Sequence, residues 1–279
     1  MLSYRHGFHA GNAGDVLKHA ALAAALSLLT RKDRPLCYLE SHAGAGRYDL
    51  AAARAQKTGE YRAGIGRLWD RADAPAALAP YLQAVRAENP DGVLRRYPGS
   101  PAVAATLLRP DDRLVLMELN ANDGEVLRAA FHHDHRVAVH RRDGYEGLVA
   151  LVPPRERRGL ALVDPSYEVE SDYDDVVTAV AAAHARWPGG SYAIWYPLLE
   201  GGRAKRLERA LAGTGLRRIL WSELRVDRRD GPGMKGAGML WVNPPYTLDV
   251  ALRDLLPWLS RTLGEGSAGL HRLEWLVGE

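Results

Sequence analysis

Five short apolar runs constrain this chain more than anything else in it, because each closes on a polar or glycine-rich turn and a helical pattern separates it from the next. They are LCYLE (36–40), RLVLMEL (113–119), RVAVH (136–140), GLALVD (159–164) and SYAIWYP (191–197). Alternation of the two periods dictates an α/β fold with a mostly parallel, doubly wound sheet, since each parallel pair needs a crossover and the crossover helices cover both faces. Two later runs, 216–226 and 238–243, are joined by a charged Gly/Pro-rich loop and predict an antiparallel hairpin arm. The first two runs stand about 70 residues apart, whereas a βαβ unit takes roughly 30. The excess, 51–96, reads as helical pieces punctuated by Pro75, Pro80 and Pro90, so a small helical insertion subdomain is expected after the first strand of one domain spanning 1–279.

Composition narrows the class. A chain of 279 residues that is 47% hydrophobic and 25% charged is neither disordered nor fibrous. Its longest apolar stretch, 20–29, is broken by Ser27 and falls short of the roughly 18 residues that cross a bilayer. The N-terminal residues carry no leader-like apolar core, so a cytoplasmic protein without a membrane partner is expected, as a monomer. Cys37, the single cysteine, reads as a small buried hydrophobe. Thirty-seven basic residues against 34 acidic give +3, too little to demonstrate a nucleic-acid partner. Arginines do cluster at 95–96, 141–142, 155–158, 217–218 and 225–229, as solvated surface or as phosphate contacts.

Ligands of open parallel sheets bind outside the carboxyl ends of the strands, which makes the strand-ending residues the ones to inspect. The first run ends in ESHAGAGR, the second in Glu118, the third in RRDGY and the fourth in DPSY. Gly44 and Gly46 suit close approach of a ligand, but Asp49 stands where a dinucleotide motif has its third glycine, and Glu118 lies too far on for the usual acid. A ligand without phosphates, carrying a ribose and a base, fits better than NAD.

Asp164, Pro165 and Tyr167 supply a carboxylate, a carbonyl and an aromatic face, the three things needed to methylate an exocyclic amine. The amine's lone pair is delocalised into its base, so acceptors must hold its hydrogens, while an aromatic ring stacks on the extruded base. A strand-terminating turn would use the same residue types. Asn243-Pro244-Pro245-Tyr246 is a rival copy, but it follows the hairpin and should lie away from the glycine turn as a helix start. His132, His133 and His135 around Asp134 match no standard metal spacing, and no metal is expected.

Taken together, the start MLSYRHGFHAGNAGDVLKH, ESHAGAGRYDL, TGEYRAGIGRLW, YPGSP, RRDGYE, RRGLALVDPSYE and YAIWYP resemble the RlmJ-type enzymes. Those are bacterial S-adenosylmethionine-dependent 23S ribosomal RNA adenine-N6 methyltransferases with a Rossmann-like class I sheet. The resemblance covers essentially the whole chain. It implies Asp164 as the catalytic carboxylate, Pro165 and Tyr167 on the target adenine, and Tyr4 with His6 on the substrate side. It further implies a cofactor held by Lys18, His19, His42, Gly44, Gly46 and Ser100, with Glu118 on the ribose, Asp143 and Gly144 on the purine, and Asp164 alongside. Ser166 departs from the family's Asp-Pro-Pro-Tyr pattern. A DNA adenine-N6 methyltransferase needs the same four residues, and a nucleic-acid-binding protein without catalysis is the reading from another class.

Overall fold

The computed structural model describes residues 5–226, 233–264 and 269–278. In chain order the strands are β1 (Cys37–Glu40), β2 (Arg47–Asp49), β3 (Arg96–Pro98), β4 (Arg113–Met117), β5 (Val137–His140), β6 (Gly159–Val163), β7 (Ser191–Leu198), β8 (Ile219–Arg225), β9 (Gly236–Val242) and β10 (Leu270–Val277). The helices are α1 (Ala13–Thr30), α2 (Ala53–Thr58), α3 (Glu60–Ala63), α4 (Ala79–Ala87), α5 (Ser100–Leu107), α6 (Ala121–Phe131), α7 (Gly144–Leu151), α8 (Asp172–Arg186), α9 (Arg203–Ala212) and α10 (Leu248–Leu263).

Eight strands form one sheet in the order β10-β8-β9-β7-β6-β1-β4-β5. The five anticipated strands run parallel, with Leu39 of β1 opposite Val115 of β4 on one side and Ala161 of β6 on the other. β1 is buried throughout, which is why its sequence is a continuous apolar run without alternation. The chain winds outward from β1 through β4 to β5, then returns to β6 and β7 on the opposite side. The crevice therefore opens where β1 and β6 part.

The two later runs pair antiparallel as expected, as β8 and β9, and they do so within the sheet and not as a separate arm. β9 pairs antiparallel with both β7 and β8, and Leu220, Trp221, Leu240 and Trp241 are all buried; strands this apolar cannot project into water. β10, which the sequence did not reveal, adds an antiparallel outer strand. Most of its positions are exposed, so no buried face imposes a period of two.

α1 is apolar around nearly its whole circumference because it lies between the sheet and other helices, packing on α4, α5, α10 and β9. Asn12 caps it by accepting the Asp15 amide at 2.9 Å. The inserted segment leaves and returns through an unforeseen two-stranded ribbon, β2 with β3. Its Ile65, Leu68, Leu78, Tyr81 and Val85 merge into the same core as α1, α5 and α10, while α7, α8 and α9 cover the other face of the sheet. Among the described residues no helix is long and apolar enough to cross a membrane.

The rival Asn-Pro-Pro-Tyr turn stands at the far rim, as its place in the chain demands. β9 is antiparallel, so its last residue, Val242, pairs with Tyr192 at the beginning of β7. Asn243 donates to the Gly190 carbonyl at 3.1 Å, Tyr246 is 86% exposed, and the turn leads directly into α10.

Candidate active site

The ionisable residues of α1 build the site's centre. Asp15 and Lys18 stand one turn apart on an otherwise apolar helix and so share a face. The buried Lys18 ammonium donates to Asp15 Oδ1 at 2.9 Å and to Asp164 Oδ2 at 2.7 Å. Asp15 Oδ2 in turn accepts from the Gly11 amide at 2.9 Å and from His6 Nε2 at 2.8 Å. Burial alone would raise the Asp15 carboxyl, but the charges of His6 and Lys18 hold it well below the usual carboxylate range. Burial likewise opposes the Lys18 ammonium, and the two carboxylates keep it well above its ordinary value. Asp164 is the first residue after β6, with its side chain 13% exposed. All of this lines a cavity of about 450 Å³ at the β1/β6 parting, a size typical of small-molecule sites.

The glycine turn after β1 forms a second wall. The Gly44 amide donates to Glu118 Oε2 at 2.8 Å and the Asn120 amide to Oε1 at 2.7 Å, so the acid that ends β4 is tied to the turn that ends β1. Burial raises the Glu118 carboxyl. His42, also on this wall, is held by Ser41 Oγ at 2.8 Å and stands edge-on to Tyr145; burial lowers its pKa. Gly46 plays another part than the sequence suggests. A Cβ there would come within 2.8 Å of Leu127 and 2.9 Å of Phe131, so this glycine lets α6 pack on the turn and does not face the cavity. Asp143 accepts the Tyr145 and Glu146 amides as the cap of α7. Gly144 closes against Ser41, whose carbonyl a Cβ would approach to 2.1 Å. Neither is on the cavity wall.

Ser100 opens α5 and touches Glu40 Oε1, whose other oxygen accepts the Tyr38 hydroxyl at 2.8 Å. Burial, with the Asp164 charge adding to it, pushes the Glu40 carboxyl up to about 8 against these hydrogen bonds. His19, on the cavity wall, pairs through Nδ1 with the Tyr97 hydroxyl at 2.8 Å, and its buried Nε2 has no partner among the described residues. Burial holds this imidazole well below its ordinary value, hence neutral. An unpaired ring nitrogen on a residue that lines a cavity is a place for a ligand's polar atom.

Tyr167 departs from the expectation that it stacks on a base. Its ring is 3% exposed and packs on Tyr173 at 4.6 Å, and its hydroxyl donates to the Trp195 carbonyl at 2.7 Å. The bond to β7 turns the ring into the core and leaves Pro165, Ser166 and Trp195 on the cavity wall. Tyr167 also has φ +55°, an uncommon conformation for a bulky residue and a local store of strain. His6 lies on the cavity wall, and Tyr4 falls outside the described residues. Ser166 takes the family's second proline position, where a pyrrolidine ring would narrow the loop's alternatives. Ser166→Pro is expected to keep or raise turnover in steady-state methyl transfer; a large loss would mean that the loop here has its own geometry.

Sequence reasoning missed Asp15, Glu40, Asn12 and Trp195. Asp15 had a readable signal, an acid one turn before a lysine on an apolar helix, where unpaired charge is costly. Cys37 is fully buried and its thiol is pushed up to about 12 by burial, as a packing residue requires. In the histidine turn His132 Nδ1 binds the Ala129 carbonyl and Asp134 is taken by Arg136. Among the described residues no group of three or more His, Cys, Asp or Glu could hold a metal ion.

Comparison with known proteins gives one consistent result. A family model described as ribosomal RNA large subunit methyltransferase D, RlmJ, matches residues 33–277. The ribosomal RNA large subunit methyltransferase J of Escherichia coli (strain K12) is 45% identical over 283 residues, and that of Haemophilus influenzae (strain ATCC 51907 / DSM 11121 / KW20 / Rd) is 45% identical over 281. Both alignments cover the whole of each chain. The crystal structure of protein LPL1258 from Legionella pneumophila str. Philadelphia 1, 35% identical, superposes with a TM-score of 0.89 over 96% of this chain and 98% of that one.

Proposed function

The chain belongs to the ribosomal RNA large subunit methyltransferase J family, and from that premise we propose that it transfers a methyl group from S-adenosylmethionine to N6 of an adenine in 23S ribosomal RNA. The observation that carries this reading is the Asp15–Lys18–Asp164 chain, which opens into the same cavity as Gly44 and Glu118.

The residues present fit the cofactor. Glu118 would take the ribose hydroxyls. His19 with its orphaned Nε2, Lys18, His42, Gly44 and Ser100 would surround the rest of the nucleoside and its amino-acid end. Asp143 and Gly144, one layer behind His42, would shape the purine end, with Gly46 supporting the turn from outside. When bound, S-adenosylmethionine supplies a sulfonium methyl with a thioether that leaves readily.

This chain's own work is to orient the amine and hold its protons. Lys18 occupies one oxygen of Asp164, leaving the other to accept from the exocyclic amine, with the Pro165 carbonyl as second acceptor. Asp15 matters because it shares the Lys18 ammonium, which therefore compensates the Asp164 carboxylate only in part. Positive charge that develops on the amine nitrogen is then stabilised by groups already in place. Asp164 is also the group placed to take the proton that the nitrogen loses. His6, on the cavity wall, would face the substrate, and Tyr167 would reach the base by leaving its bond to Trp195.

Matched RNA and DNA hairpins incubated with labelled cofactor test the proposal. Label is expected on an adenine of the RNA, and mass mapping of 23S RNA from cells with and without the protein should find the same nucleotide. Equal or preferred labelling of DNA would replace this reading by that of a DNA adenine methylase. Tight RNA binding without transfer would replace it by that of a non-catalytic binder.

A further inference from the structure

The inserted segment presents a cationic face beside the cavity. Arg54, Lys57 and Arg62 of α2 and α3 are exposed, and Arg5 is exposed nearby in the chain segment that leads into His6. Among the described residues none of these four forms an ion pair, and Arg62 donates to Gln56 Oε1 at 2.7 Å. The cause is local. Between 51 and 67 the only acid is Glu60, and its two oxygens are taken by His9 Nδ1 at 2.8 Å and Asn12 Nδ2 at 3.0 Å. The nearest other acid, Asp49, precedes the segment and accepts the Ala51 amide through Oδ1 at 2.8 Å.

The same bonds fasten the edge to the site. Glu60, His6, His9 and Asn12 are on the cavity wall, and Asn12 caps the helix that carries Asp15 and Lys18. Thr58 Oγ1 donates to the Phe8 carbonyl and the Ile65 amide to the Gly11 carbonyl at 2.9 Å. Gly64 packs so closely that a Cβ would stand 2.0 Å from the Gly11 oxygen. The Arg54 side chain lies against Gly7.

An adenine that enters the cavity leaves its flanking phosphates outside, and they need cations at a fixed place relative to the opening. We propose that the α2–α3 edge, through Arg54, Lys57 and Arg62 with Arg5, grips the phosphodiester backbone of the RNA strand next to the target adenine. The proposal rests on the RNA-methylation reading above. On it, the insert holds the strand while the α1 network and Asp164 act on the base.

The test is the full chain carrying Arg54→Gln, Lys57→Gln and Arg62→Gln, against a control with Arg31→Gln, Lys32→Gln and Arg34→Gln, which are exposed between α1 and β1. Binding of a 23S-derived RNA hairpin is measured across a salt series, and methyl transfer in steady state. Loss of three phosphate contacts should flatten the slope of log K against log salt by about 2, since each contact contributes roughly 0.7–0.9. KM for RNA should rise about tenfold or more in low salt, with kcat and S-adenosylmethionine binding within about twofold of wild type. An unchanged slope, or an equal loss in the control, overturns the proposal. If wild-type protein transfers no methyl to any RNA, the functional reading fails, and the salt slope still decides the grip.

Discussion

Alanine at position 164 should reduce methyl transfer by about 10³-fold or more, within the range of a lost proton acceptor combined with lost charge stabilisation. Binding of S-adenosylmethionine, followed by calorimetry, should change by only a few-fold. Asp164 follows β6, and on the reading above it faces the amine, whereas Glu118, Gly44 and His19 carry the cofactor. Asp164→Asn sharpens the result. It keeps the shape and one acceptor oxygen but brings two hydrogens and no charge, so a defect comparable to that of Asp164→Ala is expected. Undiminished transfer by either variant would remove Asp164 from the reaction.

Lys18→Met is the substitution with the largest expected effect on stability. It leaves the Asp15 carboxylate, 3% exposed, without its ammonium, and breaking one side of a buried pair typically costs about 3–5 kcal/mol. The urea midpoint should fall accordingly, and adding Asp15→Asn should recover much of the loss because the stranded charge is then gone. A single variant as stable as wild type would show that the two ions do not depend on each other. The pH dependence follows from the shifts. Asp15 has a depressed folded pKa, so its stabilisation is complete above the ordinary carboxylate pKa and disappears as pH falls through the folded value. Lys18 has a raised folded pKa, so its stabilisation is complete below the ordinary lysine pKa and disappears as pH rises through the folded value. The contribution of these two ionisations is therefore flat through neutrality, with losses at the acid and alkaline extremes.

The parallel half of the sheet was legible in the chain because its strands are buried on both faces and read as apolar runs. Asp164, Glu118 and the glycine turn were found by asking what ends each run. Position within the site was harder. Gly44 and Gly46 look alike in sequence, yet one donates to Glu118 and the other gives room to Leu127 and Phe131. Asp143 reads as a ligand residue and serves as a helix cap. Tyr167 has the right identity, but its orientation depends on the Trp195 carbonyl, 28 residues further on, and no local pattern announces such a partner. β10 was hidden because exposed edge positions impose no spacing on their residues.

The closeness of Gly64 to the Gly11 carbonyl bears on how such proteins can be recombined. Residues 6–15 and the insert meet as two halves of a joint, with Glu60 bonded to His9 and Asn12 and no room for a side chain at Gly64. A chimera that changes one half of this joint without the other, at Gly64, Glu60 or Asn12, passes the mismatch to Lys18 through the cap of α1. The two segments form one heritable module, although about 40 residues of chain lie between them.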